Sequence, residues 1–202
     1  MKQHIKRWYP KDQRFFRVLS ISGNIKNEDA HKLNISDSRL KNMEKDKLIE
    51  RVSYPSRYNN QMSSNKCYQL TAKGKQFVEQ QFQISRCQNG FAIEHNCKVA
   101  EVICSLNKDE IDSVRSEWES RDQMEEALEQ MRQEGNLDQY DYYMDLYREG
   151  KISAPDITYT SSVTQELVCI EITTGSYKEE DIQAKETFSE IVKTEIEYVN
   201  VV

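Results

Sequence analysis

The chain has 202 residues, 37% of them hydrophobic and 31% charged, with 11 tyrosines, six phenylalanines and only three prolines. That is polar for a globular protein, yet too aromatic and too regularly patterned for a disordered one. No apolar run approaches a membrane span, and the first ten residues, MKQHIKRWYP, lack the apolar core of a signal peptide, so a cytoplasmic protein with no membrane partner is expected. The formal charge of -6 hides an asymmetry. Residues 1–80 carry 17 Lys and Arg against 8 Asp and Glu, and residues 81–202 carry 11 against 26. Two units with different partners are expected, the basic one suited to a polyanion. The five cysteines, at 67, 87, 97, 104 and 169, are odd in number and show no CxxC spacing, which argues for reduced thiols over a disulfide frame or a zinc site.

In chain order, Phe15, Val18, Leu19 and Ile21 predict a helix over 11–22, stopped by Gly23. Ala30 and Leu33 mark a short second helix over 27–34. Leu40 and Met43 mark a third over 36–47, capped by Ser36 or Asp37. Leu48, Ile49 and Val52 then alternate with charged residues up to Pro55, and CYQL follows a polar loop, so the two runs read as a hairpin. Thr71 caps a closing helix with Phe77 and Val78 on its apolar side. Three helices, a two-stranded wing and a closing helix predict a winged helix-turn-helix domain over 1–82 that binds double-stranded DNA. Its candidate contacts are Arg39 and Asn42 to base edges, Ser36 and Ser38 at the helix start against a phosphate, and Lys45, Arg57, Tyr58 and Lys66 to the backbone or a neighbouring groove. The L-T-x-x-G step at Leu70–Gly74 resembles many bacterial winged-helix domains.

The second half, 89–202, reads as an αβ domain, giving an α+β fold class for the whole chain. Ile93, Cys97, Ala100, Val102, Ile103 and Leu106 predict a buried helix. Ile111, Val114 and Trp118 are read as a strand over 110–118, and residues 121–150 as an acidic helical insert with a tyrosine-rich packing face. ITYT and ELVCIEIT predict strands, followed by a helix over 178–192 and a closing strand. This order is similar to the restriction-endonuclease-like, PD-(D/E)xK core. There Pro155-Asp156 would open one strand and Glu171-Ile172-Thr173 would lie on the next. In that motif two carboxylates hold Mg²⁺ and a lysine activates water. Thr173 stands where the lysine belongs, with Lys185 or Lys178 as substitutes and Glu94 as a completing acid.

Taken together, the LTAKG step, the helix centred on His95, the A-P-D-I and E-I-T-T-G strands and Lys185 resemble the replication-relaxation family of Gram-positive plasmids and integrative elements. Glu171 and Gly175 fit that pattern, and Thr173 departs from it. The resemblance implies a DNA-binding accessory or regulatory protein of a mobile genetic element, active in replication, transfer or transcription. It implies no hydrolytic activity, and His95 is expected to be a structural hydrogen-bonder. No catalytic residue, metal or other cofactor is therefore expected. Two alternatives are a Mg²⁺-dependent endonuclease using Glu94, Asp156, Glu171 and Lys185, with Asp156 and Glu171 on the metal, and a phage or plasmid inhibitor whose acidic half mimics DNA. The acidic half is the expected surface for a protein partner, and a homodimer is compatible with both halves.

Overall fold

The computed structural model describes residues 3–55, 64–174 and 177–201, which form two compact units, Met1–Asp112 and Ser113–Val202. Both combine helices with a small three-stranded sheet, giving an α+β protein.

In the first unit the order is α1 (Pro10–Ser22), β1 (Ile25–Lys26), α2 (Asn27–Lys32), α3 (Asp37–Lys45), β2 (Ile49–Pro55), β3 (Ser64–Leu70), α4 (Ala72–Phe82) and α5 (Ile93–Ile103). The sheet is antiparallel in the order β1-β3-β2. Phe15, Phe16, Val18 and Leu19 of α1 are buried, as their helical spacing requires. Trp8, Phe16, Phe77 and Phe82 form a ring cluster that fastens α4 to α1 and the N-terminal segment. The reason for the Thr-x-x-Gly step is visible. Thr71 Oγ1 accepts from Gly74 N, capping α4, and its N–H donates to Leu48 O. A Cβ on Gly74 would lie 1.9 Å from that same Leu48 oxygen, so only glycine admits this approach of main chain to main chain.

The boundary differs from the expected one near residue 89. Helix α5 belongs to the first unit, where it packs on α1 and β1 and buries Cys97 against Tyr54 and Cys67 of the hairpin. Its apolar face is matched to the rear of this sheet. The division leaves 20 Lys and Arg against 13 Asp and Glu in the first unit, and 8 against 21 in the second, so the charge asymmetry persists.

Residues 110–118 do not form the expected strand. Helix α6 (Lys108–Ser113) ends there, Arg115 makes one isolated bridge to Thr158, and α7 (Glu117–Gln133) follows. Asn107 Oδ1 accepts from Asp109 and Glu110 N–H at the start of α6. Ser116 and Glu119 form a capping box at the start of α7. Ile111, Val114 and Trp118 are spaced three and four apart, which is a helical period. The acidic stretch is not an insert but a core layer. Met124, Leu128 and Met131 of α7 and Tyr143 of α8 (Leu137–Arg148) pack with Cys169, Phe188 and Ile191. Tyr140, Met144, Leu146 and Tyr147 lie against the same cluster. The remaining elements are β4 (Ile157–Thr160), β5 (Leu167–Thr173), α9 (Glu179–Val192) and β6 (Ile196–Asn200), with β4 antiparallel and β6 parallel to the central β5.

Candidate functional site

The first unit holds a concavity of about 280 Å³ lined by Asn27, Asp37, Lys41, Arg51, Lys66 and Tyr68. Its walls follow from periodicity. In α3, Leu40 and Met43 point into the core, so Asp37, Ser38, Lys41 and Lys45 are left exposed on the opposite arc. In the hairpin, Arg51 pairs with Tyr68 and Ser53 with Lys66, which puts Arg51, Tyr68 and Lys66 on one face of the sheet. Arg51 stacks over the Tyr68 ring at 5.3 Å, donates to its hydroxyl at 2.9 Å and reaches Glu44 at 3.3 Å. The result is a cationic groove between a helix and a hairpin.

The expected contact residues divide among different roles. Lys45 and Lys66 are exposed and Asn42 is half-buried on α3. Ser36 is the α3 N-cap, accepting from Arg39 N, and its hydroxyl is 3.0 Å from that of Ser38. Arg57 and Tyr58 lie outside the described residues. Arg39 does not face the groove. Its Nε and Nη2 engage Asp12 at 2.9 and 2.7 Å, Nη2 also donates to Arg7 O, and the guanidinium stacks over Trp8 and Tyr9. Asp12 is completely buried, so Arg39 neutralises an interior carboxylate and belongs to the framework. Lys41 and Arg51, which line the groove, were not among the expected contacts. The outward arc of α3 identifies Lys41, and the period-two alternation of β2 identifies Arg51.

The second unit brings together Asp156, Glu171 and Lys185. Asp156 lies one step beyond the Ile157–Ile170 pair, which sets it opposite Glu171. Glu171 Oε2 accepts from Asp156 N and Asp156 Oδ2 accepts from Ile172 N, both at 2.9 Å. Lys185 of α9 is 3.1 Å from Glu171 Oε1 and donates to Ala154 O at 2.6 Å, and the Tyr177 hydroxyl donates to the same Oε1. Glu171 has no exposed surface. Burial and then the charge of Asp156 push its carboxyl above the ordinary range, while the Lys185 ammonium and the Tyr177 hydroxyl pull it back. Burial, followed by the hydrogen bond to Glu171, pushes the Tyr177 phenol up.

As arranged, these groups do not fit a divalent ion. Glu171 Oε1 carries both the Lys185 ammonium and the Tyr177 hydroxyl and Oε2 accepts from Asp156 N, so an ion at about 2.0–2.6 Å from Oε1 would have to displace the ammonium. Among the described residues no three His, Cys, Asp or Glu side chains are gathered for a metal. Thr173 bonds Asn200, and Lys178 is the N-cap of α9, its main chain bonded to Asp181. Glu94 and His95 are both on α5, outside the unit that contains the other three groups, and Gly175 is outside the described residues.

Among the described residues, no helix is long and apolar enough to cross a membrane. Comparison with protein-family profiles, curated proteins and solved structures gives no match for this chain.

Proposed function

We propose that the first unit is a winged helix-turn-helix that binds duplex DNA, with α3 as the helix entering the major groove and the β2–β3 hairpin as the wing. The observation that carries this is the groove itself, in which Lys41, Arg51 and Lys66 are gathered beside Asn27 and Tyr68 between a helix and a hairpin. Lysine and arginine supply the phosphate contacts that dominate affinity, and short polar groups on α3 reach base edges. The resemblance to replication-relaxation proteins points the same way, toward an accessory or regulatory protein of a mobile genetic element. Its nuclease-like half would act in assembly with a partner. If about five phosphates are neutralised, log affinity falls against log salt with a slope of about -4 to -5. Lys41→Ala and Lys66→Ala should each weaken all sequences and reduce that slope by about one. Fluorescence anisotropy across a salt series measures this, and a flat dependence would refute DNA binding through this groove.

A second reading, DNA cleavage by the second unit, draws on one observation: the Lys185 ammonium beside Glu171 on the strand next to Asp156. The engaged carboxylate oxygens weigh against it. Supercoiled plasmid incubated with the full chain and Mg²⁺ or Mn²⁺ should stay intact. Nicking that disappears with Asp156→Ala would establish the enzyme instead.

A further inference from the structure

We propose that Asp37 is a specificity-determining residue that selects cytosine in the DNA major groove, an inference that rests on the DNA-binding reading of the first unit. Asp37 is an anomaly in its surroundings. It is an exposed carboxylate lining the groove that also holds Lys41, Arg51 and Lys66, where a polyanion would be met. For phosphate contact alone this placement is unfavourable, since it repels the backbone and offsets neighbouring lysines. Its position nevertheless suits base contact. It is the first residue of α3, and the N-terminal residues of a recognition helix are those that meet base edges.

The carboxylate is also held in place. Asn27 Nδ2 and His31 Nε2, both from α2, contact its Oδ1 at 3.1 and 3.0 Å. An ionised carboxylate only accepts, so the proton of that imidazole contact sits on Nε2. An exposed aspartate is an acceptor at neutral pH in any case, and Asn27 first and then His31 lower this carboxyl further below its ordinary range. The major groove offers two amino donors, cytosine N4 and adenine N6. With Oδ1 held by α2, Oδ2 is left to meet a base; beside adenine N6 the N7 lone pair repels this anionic oxygen, whereas cytosine carries no acceptor there. An acceptor-only group at this position therefore favours cytosine. An asparagine whose oxygen stays with Asn27 and His31 presents its N–H to the DNA and so matches an acceptor such as guanine O6 or N7 instead.

The test is selection of bound sequences from a randomised duplex library with the full chain, its Asp37→Asn variant and its Asp37→Ala variant. Wild type should prefer cytosine at one position by about tenfold. Asp37→Asn should move that preference from cytosine to guanine, and Asp37→Ala should erase it while other positions stay unchanged. Identical motifs for wild type and Asp37→Asn would overturn the role of Asp37 while leaving DNA binding in place. So would the lack of a cytosine preference in wild type. Failure of wild type to bind any duplex would instead overturn the DNA-binding reading itself. Circular dichroism of both variants, expected to match wild type because Asp37 is exposed, excludes misfolding as the cause of a change.

Discussion

Arg39→Ala is expected to destabilise the first unit by about 3–5 kcal/mol, because removing one partner of a buried ion pair strands the other. Among the described residues Asp12 would keep only the Tyr9 N–H as a donor, and the stacks on Trp8 and Tyr9 would be lost with the guanidinium. Arg39→Lys should recover only part of this, since an ammonium cannot reproduce the two-pronged contact with both Asp12 oxygens. Urea unfolding followed by tryptophan fluorescence suits the measurement, as Trp8 lies in the affected cluster. Under conditions where the variant remains folded, its selected DNA motif should equal that of wild type. Unchanged stability with a relaxed motif would make Arg39 a reader of bases and refute the framework role.

Lys185→Met should cost the second unit a similar amount, about 3–5 kcal/mol, for the same reason. Here the loss also acquires a pH dependence. Burial and Asp156 already raise the Glu171 carboxyl, and without the ammonium it rises further, so the folded variant holds a proton that the unfolded chain releases. A carboxyl raised in the folded state contributes stability that is present at low pH. That contribution is lost as the pH climbs from the ordinary carboxylate range through the folded value. The Lys185→Met protein should therefore unfold at a lower urea concentration at pH 8 than at pH 5. Adding Glu171→Gln should recover much of the loss at pH 8, because no buried charge is then left unpaired. A Lys185→Met variant as stable as wild type at pH 8 would show that the pair does not support this unit.

How much of this is legible in the sequence depends on distance along the chain. Helices with a clear period, such as α1 and α3, and the β-rich run of β5 are readable because their own neighbours determine burial. Motif order leaves two lysines for the place beside Glu171, Lys178 and Lys185, and the structure puts Lys185 there. The role of Arg39 is not legible, since its fate is set by Asp12, 27 positions earlier, and nothing local reports that pairing. Its place beside Ser38 on α3 suggests the outer surface, but a long flexible side chain at the margin of a helix face can turn either way. The 110–118 stretch is readable in principle, because the Ser116–Glu119 capping box marks a helix start among its apolar residues. Periodicity marks helix α5 but not the unit that it joins. An apolar face indicates that it is covered without indicating by what.

The cover that α5 provides bears on how the protein can be dissected. Val52, Tyr54 and Cys67 on the rear of the hairpin are sheltered by Ile93 and Cys97, and the buried Asn96 amide donates to Asn24 Oδ1 and Asn89 O. A fragment cut after Phe82 would contain every groove residue named above, yet would bare a sticky sheet surface and take the Asn96 donor from Asn24 Oδ1. An expression fragment, or the product of limited proteolysis, should therefore extend through α5 to about residue 112 if the groove is to be studied alone in a soluble form.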